Sequence, residues 1–532
     1  MSPAVRAPLP LWLALIIAAG AGPVLDAGFP DRDWWPLAFV GVGMILWSLR
    51  GRSTRSSLLV GFVAGLTFYL FHVQWTALYL GPVPWIALST LEALFFGLGS
   101  LLITLAYRWL PVAWPTKPGR LGLLPVVVAG LWTLREFVAG NWPYGGFSWG
   151  RVAESQSQSP FAPLVAWFGM SGLTFVIVWL VALVMECAFE WQVRRVWRVA
   201  IAVGAIALVL VIPAWPATTH GTTRVAAVQG NGPAGYFQYA APGDVMATQV
   251  AATEKIIDEK ADMVVWPEGS ADIDPTRDQD SANTIDDLAT RMNAPFVIGT
   301  ITYRNREYFN TSLLWEPGKG VTDYYDKKHP VPFGEYVPDR AFWRMFAPSL
   351  IDLIGRDYTP GTRDNVFDIN GVKAGISICF DIVDDQLLTD MMHGGAQVIL
   401  AQTNNADFGR TDENMQQLAI ARLRAIEAGR SLVNISTVGS SQIVDPSGVT
   451  IASIPAYQAG SMIADVPLGT TTTPATLLSR GIELLVSGLG LAALVIAFFA
   501  VRPLRPRTAK VETRATRSVP APDKEKAASH SV

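Results

Sequence analysis

The sequence predicts a multi-span α-helical membrane bundle, eight spans in a seven-plus-one arrangement, that carries a water-soluble α/β domain. Half of the 532 residues are hydrophobic, only 16% are charged, and mean hydropathy is +0.30, a balance foreign to wholly soluble proteins. The apolar surplus is gathered into runs of roughly 15 to 25 residues, close to the length a helix needs to cross the hydrocarbon core. Between the run ending at Trp215 and the one beginning at Leu484 lies a block of about 250 residues in which short strand and helix patterns alternate.

The first run, Leu9 to Leu25, lacks a convincing small-x-small cleavage site and precedes many further spans, so it is expected to stay as an anchor. The second is Trp35 to Leu49, the third Leu58 to Leu80, the fourth Trp85 to Leu105 and the fifth Leu121 to Val138. Leu164 to Cys187, Val199 to Trp215 and Leu484 to Val501 complete the set; the second and fifth are short.

Short cytoplasmic loops collect Lys and Arg, which orients these spans. Arg50, Arg52 and Arg55 follow the second run, and Arg108, Lys117 and Arg120 follow the fourth. Arg194, Arg195 and Arg198 follow the sixth, and Arg502, Arg505, Arg507 and Lys510 follow the eighth. All four clusters fall on one side, so both termini are expected in the cytoplasm and the soluble block outside. The net charge of −3 averages a basic inner face with an acidic outer domain and implies no nucleic-acid partner.

This topology sets the two cysteines on opposite faces, Cys187 near the inner end of the sixth span and Cys379 in the outer domain, where they cannot pair. An unpaired cysteine in an exported domain is exposed to oxidation and calls for a reason. One reason is chemistry; the other is a buried thiol serving as a small apolar residue in a strand.

Within the block, strands are predicted at Arg224 to Val228, Met263 to Trp266, Pro295 to Ile301, Val372 to Cys379, Gln397 to Gln402 and Leu432 to Thr437. Helices are predicted at Thr248 to Lys260, Thr284 to Met292 and Asn414 to Ala428, the last stopped by Gly429. Thr311 to Trp315 and Thr322 to Tyr325 are expected to pair antiparallel across the turn Pro317-Gly318-Lys319-Gly320. The tail is rich in Pro, Lys, Arg and Ser and is expected to be disordered. The expected division is a seven-helix membrane domain over 1–219, an extracytoplasmic catalytic domain over 220–470, a linker with the eighth helix over 471–502, and a cytoplasmic tail over 503–532.

Glu268 follows one predicted strand and Cys379 ends another, so in an α/β sheet both can project from the carboxyl edge where sites are commonly built. A carboxylate can take the thiol proton, and a nearby ammonium can stabilise both the thiolate and a later oxyanion. Glu268, Cys379 and Lys327 fit those roles. Taken singly, Glu268 also fits a solvated loop acid and Lys327 a surface charge; the combination is what points to covalent acyl chemistry.

The strings Val228-Gln229-Gly230-Asn231, Trp266-Pro267-Glu268, Lys327 followed by Val331-Pro332-Phe333-Gly334-Glu335-Tyr336-Val337-Pro338, and Ile378-Cys379 resemble the nitrilase, or carbon-nitrogen hydrolase, superfamily. Joined to seven-plus-one spans, they are similar to its membrane branch, the apolipoprotein N-acyltransferase family. Gly146-Phe147-Ser148-Trp149-Gly150 with Ser155-Gln156, and Arg422 to Arg430, extend the similarity over nearly the whole chain apart from the tail.

The resemblance implies a nitrilase-like αββα sandwich seated on the bundle, with Glu268 as base, Lys327 as charge stabiliser and Cys379 as nucleophile. Glu335, Asp381 and Asn310 are implied as supporting residues, Asn310 with a plain turn role as the alternative. Phe380, Tyr236 and Phe237 are the expected substrate-binding side chains. The implied reaction moves an acyl chain from a glycerophospholipid to Cys379 as a thioester, then to the α-amino group of a lipoprotein's N-terminal diacylglyceryl-cysteine. A bacterial cell membrane and no metal or organic cofactor follow from the same likeness, the two-step transfer predicts ping-pong kinetics, and a monomer is expected without the sequence fixing it.

Several positions depart from the family pattern. Asp381 stands where a Glu is usual, and Asn405 and Asp407 stand where Asp and Trp are usual. The loop after Asn231 lacks its expected Trp and offers Tyr236, Phe237 and Tyr239 around Gln238. These changes leave the three central residues intact and bear on lipid handling and substrate preference.

Polar residues within or near spans, His72, Gln74, Glu92, Arg135 and Glu136, could line a headgroup cleft or serve helix packing. His329 beside Lys327 is expected to be structural. His220, His393 and His530 show no metal-ligand spacing, so no metal site is expected. Two other readings remain beside the acyltransferase: a membrane-anchored nitrilase-type amidase or hydrolase, and a transporter or non-catalytic receptor with a degenerate nitrilase-like domain.

Overall fold

The structure, a computed structural model, describes residues 8–189, 194–478 and 480–501; the expected tail and the basic residues from Arg502 onward lie outside the described residues. The first part is helical: α1 (Leu11–Asp26), α2 (Pro36–Leu49), α3 (Thr54–His72), α4 (Thr76–Leu80), α5 (Pro82–Ala113), α6 (Leu124–Ala139), α7 (Val165–Phe189) and α8 (Arg195–Leu210). A block of alternating strands and helices follows. It runs β1 (Thr219–Gln229), α9 (Asp244–Glu254), β2 (Met263–Val265), α10 (Gln279–Met292), β3 (Phe296–Arg304), β4 (Glu307–Glu316) and β5 (Gly320–Asp326). An arm with α11 (Arg340–Arg344) and α12 (Pro348–Ile351) leads to β6 (Val366–Ile369), β7 (Val372–Ile378), α13 (Asp385–His393), β8 (Val398–Thr403), α14 (Glu413–Ala428) and β9 (Ser431–Ser436). Last come β10 (Ser441–Val444), β11 (Thr450–Ile454), β12 (Gly460–Gly469), α15 (Pro474–Leu478) and α16 (Arg480–Val501).

Among the described residues, five helical stretches are long and apolar enough to cross a membrane: α3, α5, Gly119–Ala139 with α6, Ala162–Phe189 with α7, and α16. α1 and α2 are apolar but shorter, at 16 and 14 residues, and α8 has 16 residues with most side chains exposed.

The expected third span, Leu58 to Leu80, is not one helix. The Gln416 amide donates to the His72 carbonyl at 3.1 Å, diverting it from the helical ladder, and Val73 leaves helical geometry (φ −115°, ψ 27°) before α4 resumes. The expected fourth span lengthens to 32 residues, about 48 Å of helix against a core of about 30 Å.

The block folds into two six-stranded sheets with strand orders β12-β1-β2-β3-β4-β5 and β11-β10-β9-β8-β7-β6. The central trios β1-β2-β3 and β7-β8-β9 are parallel, and their crossovers are α9, α10, α13 and α14, as parallel pairing requires. Alternation along the strands divides the apolar side chains. Val225, Val265 and Val297 meet Ile376, Leu400 and Val433 between the sheets, whereas Ala226, Val264 and Phe296 turn outward onto Ile285 and Leu288 of α10. The outer face of the second sheet packs on α13 and α14, and that layer is continuous with the membrane helices in one core. Nearly every residue of α14 is buried, because it has a sheet on one side and α7 on the other. Gly429 ends it in the left-handed region at φ +62°.

The six strands predicted from sequence correspond to β1, β2, β3, β7, β8 and β9, and the β4–β5 hairpin pairs as expected. α9 lies earlier than its predicted range, since the Asp272 carboxylate accepts from the Gly243 and Met246 amides (2.7 and 3.0 Å) and caps the helix there. α10 also starts earlier, capped by the Asp278 side chain on Ser281 N. Strands β6, β10, β11 and β12 were not predicted.

Candidate active site

β2 ends at Val265 and its chain turns into Trp266-Pro267-Glu268, against which β3 lies so closely that a Cβ at Gly299 would fall 2.4 Å from the Pro267 carbonyl oxygen. The other sheet holds this loop: Gln402 Nε2 donates to the Trp266 carbonyl at 2.6 Å and Thr437 Oγ1 to that of Glu268 at 3.0 Å. β7 delivers Cys379 at the start of a 3-10 turn, in the left-handed region at φ +50°, a conformation that costs a non-glycine residue energy and recurs at functional positions. Lys327 directly follows β5, its N–H donating to the Asn310 carbonyl of β4 at 2.8 Å.

These elements bring Glu268, Lys327, Cys379, Glu335 and Asn310 together. Asn310 Nδ2 donates to Glu268 Oε1 at 2.7 Å and to Glu335 Oε1 at 2.8 Å. Lys327 Nζ lies 2.8 Å from Glu335 Oε2 and 3.9 Å from Glu268 Oε1. Glu335 is fixed by its own tight turn, where its Oε2 accepts from Val331 N at 2.7 Å. Lys327 and Glu268 are both buried.

Burial pushes the Glu268 carboxyl pKa up and the Glu335 charge adds to the rise, while Lys327, Asn310 and the nearby Cys379 thiol oppose it. The Cys379 thiol rises well above its usual value, chiefly through burial and then through Glu268. Burial works against the Lys327 ammonium, but Glu335 and Glu268 outweigh it, so the lysine is held charged. The result is a neutral thiol beside a carboxylate of enhanced basicity and a fixed cation, a set able to transfer the thiol proton as sulfur attacks a carbonyl and to steady the resulting oxyanion.

Asp381 sits behind the nucleophile, where its Oδ2 accepts from Tyr325 OH at 3.0 Å and from Ile378 N at 3.3 Å. Burial raises its pKa to about 7, opposed by Lys327. It does not line the cavity that Cys379, Glu268 and Lys327 share, a space of about 1810 Å³ walled by both halves of the molecule. Leu88, Leu91 and Glu92 of α5 line it from the helical bundle, and Phe346, Leu350 and Ile354 of the arm line it from the other side. Phe380 lines it too and stacks on Trp149 (6.1 Å, 3°) and Phe147 (6.0 Å, 14°).

Tyr236 also lines the cavity, its N–H donating to Asp407 Oδ1 at 2.6 Å, while Phe237 packs on Tyr79 and Tyr236 with half its surface exposed and is not among the lining residues. Of the polar span residues, only Glu92 reaches the cavity. His72 instead pairs with Asp26 at 3.1 Å, Glu136 accepts from Trp132, Arg135 and Val152 N, and Gln74 is exposed. His329 faces Asp384 at 3.5 Å on the surface.

Sequence reasoning missed two sets of residues. Gln417 Nε2 is 3.5 Å from Cys379 Sγ, with Glu413 one turn earlier on α14. Arg151 and Arg424 both donate to the Val383 carbonyl and to Asp385, clamping the far end of the nucleophile turn. Neither set forms a short motif. Arg422 to Arg430, already noted as a similarity, contained the one readable hint.

The two helix-covered sheets and the strand-end site define a carbon-nitrogen-hydrolase domain built onto a bundle of apolar helices. A family model described as "Apolipoprotein N-acyltransferase N-terminal domain" matches residues 21–183, and one described as "Carbon-nitrogen hydrolase" matches residues 224–474. The chain is 32% identical to an apolipoprotein N-acyltransferase of Mycolicibacterium smegmatis, across 94% of this chain and 88% of that protein. It is 25% identical to one of Shewanella oneidensis, across 87% and 91%. An amidase structure from Nesterenkonia sp. aligns with 51% of this chain and 98% of its own at 17% identity and TM-score 0.38. The chain belongs to the apolipoprotein N-acyltransferase family.

Proposed function

We propose that this acyltransferase takes its acyl chain from a glycerophospholipid and passes it, through a thioester on Cys379, to the α-amino group of a lipoprotein's N-terminal diacylglyceryl-cysteine. The observation that carries this reading is the shared cavity: a partly buried thiol with a buried carboxylate and ammonium opens into one apolar-walled space bounded by α5 and by the arm. In the first step Glu268 takes the Cys379 proton as sulfur attacks the ester carbonyl, Lys327 steadies the oxyanion, and the proton passes to the departing lysophospholipid oxygen. In the second, the amine attacks the thioester, the C–S bond breaks and an amide forms. Two lipid substrates thus use one site in turn, giving ping-pong kinetics. Glu335, Asn310 and Asp381 support the three central residues; Phe380 and Tyr236, which line the cavity, contact lipid.

The topology in this reading has eight spans, both termini in the cytoplasm of a bacterial cell, and residues 220–470 on the outer face of the membrane between a seven-helix domain (1–219) and the returning helix (471–502). The enzyme works as a monomer. The test is to incubate the purified full-length protein with phospholipid carrying a labelled acyl chain and a diacylated lipopeptide. Amide-linked label on the peptide, lost in Cys379→Ala, is expected. Label that reaches the thioester and then only water would replace this reading with a hydrolase, and transfer retained by Cys379→Ala would remove the nucleophile.

A further inference from the structure

The two half-reactions differ in their proton inventory. Acylation moves one proton, from the thiol to the lysophospholipid oxygen, and Glu268 can carry it alone. Aminolysis by a primary ammonium releases two: one before the nitrogen can attack, and one from the nitrogen after it has bonded to carbon. Only one of them ends on the departing sulfur. A second acceptor is therefore needed, and the cavity contains a carboxyl to which the mechanism above gives no role.

Glu413 is 1% exposed and lines the cavity at the first turn of α14. Gln417, four residues later on the same helix face, places Nε2 3.5 Å from Cys379 Sγ. Asn405 Nδ2 ties the two together, donating to Glu413 Oε2 and to Gln417 Oε1, both at 2.8 Å. Asn405 Oδ1 meanwhile accepts from Ser436 Oγ at 2.6 Å and Thr403 Oγ1 at 3.2 Å, so its amide is fixed the right way round. Cys379 is thus addressed by Glu268 and Lys327 on one hand and by α14 on the other.

We propose that Glu413 takes the proton that the acceptor ammonium must shed before it attacks the Cys379 thioester. This rests on the transferase reading above. The ammonium N–H bond breaks, its proton goes to the Glu413 carboxylate, and its electron pair forms the new C–N bond. As the C–S bond breaks, the second nitrogen proton passes through Glu268 to sulfur, and Glu413 returns its proton to water. Burial raises the Glu413 carboxyl to about 8, with Glu268's charge adding and Asn405 opposing, which matches it to an α-amino group of pKa about 8. An Asp in place of Asn405 would set a second carboxylate against Glu413 and remove its donor, so the amide at this position suits the role.

The test separates the half-reactions in the full-length enzyme. Cys379 is loaded from labelled phospholipid, excess donor is removed, and the thioester is chased either with diacylated lipopeptide or with hydroxylamine, a nucleophile uncharged at neutral pH. For Glu413→Gln, which keeps size and an oxygen facing Asn405, loading and hydroxylamine release are expected within about threefold of wild type, while peptide aminolysis falls about 100-fold. Glu413→Asp is expected to recover part of that loss. Equal slowing of loading and both chases would show a packing role and overturn the proposal, as would unimpaired peptide aminolysis in Glu413→Gln. Failure of the transferase reading looks different: wild type itself would form no thioester, or would give it to water in the presence of peptide.

Discussion

Lys327 leans on Glu335 rather than on Glu268, with its Nζ 2.8 Å from the former and 3.9 Å from the latter. The cation is thereby anchored without neutralising the carboxylate that faces the thiol. Glu335→Gln should let Lys327 pair with Glu268, and losing the Glu335 charge removes one of the influences that raise the Glu268 pKa. Thioester formation should slow by about 10- to 100-fold, with its acid limb displaced to lower pH. A rate equal to wild type in rapid-quench loading would contradict this.

Acylation requires Glu268 charged and Cys379 protonated. The Glu268 pKa is raised by burial, so activity should be lost as pH falls through a value above the ordinary glutamate range of about 4.3. The thiol pKa is raised as well, so no gain in loading rate is expected as pH rises through about 8.5, where an ordinary cysteine ionises. Single-turnover loading measured from pH 4 to 9 checks both limbs.

Asp385 joins Arg151 of the helical part to Arg424 of α14. Although burial opposes its charge, the two arginines hold its pKa well below the usual range; its contribution is complete above the ordinary aspartate pKa and lost as pH falls. Asp385→Asn removes the carboxylate shared by the two guanidinium groups and leaves Arg151 with Glu154 alone and Arg424 with Glu427 alone, which should cost about 1.5 to 3 kcal/mol. Unfolding followed in detergent should show it, together with slower loading as the turn holding Cys379 loosens.

Phe380 stacks against both Phe147 and Trp149 at the cavity wall. Phe380→Ala removes both ring contacts, each worth about 0.5 to 1.5 kcal/mol beyond simple burial. In steady-state assays with varied phospholipid, kcat/KM should fall about tenfold, mostly through KM.

The three central residues were legible because each lies within a short string at the end of a strand whose apolar pattern is plain, as in Met263 to Trp266 before Glu268. Lys327 was legible for the same reason, since the β4–β5 hairpin announces itself by a Pro-Gly turn. The arginine clamp was not: Arg151 and Asp385 are 234 positions apart and meet only because α13 and α14 pack on the helical bundle. Gln417 and Glu413 were hidden by α14 itself, whose polar side chains suggest a solvated face but point into the site and the bundle. The break after His72 was equally unreadable, because a side chain more than 300 positions away, Gln416, takes the carbonyl that would have continued the helix. Strands β10 and β11 are short, and β12 depends on pairing with β1, so their local patterns carried little signal.

The helix that presents Glu413 and Gln417 also carries Ile420, Leu423 and Ile426 in the same apolar core as α7. Cutting the enzyme between its halves would strip that helix of one wall and bare an oily stripe directly beneath the nucleophile. The catalytic half is therefore not a detachable module: expressed alone it should aggregate, and inhibitors that pry α14 from the bundle would disable the chemistry without touching the thiol.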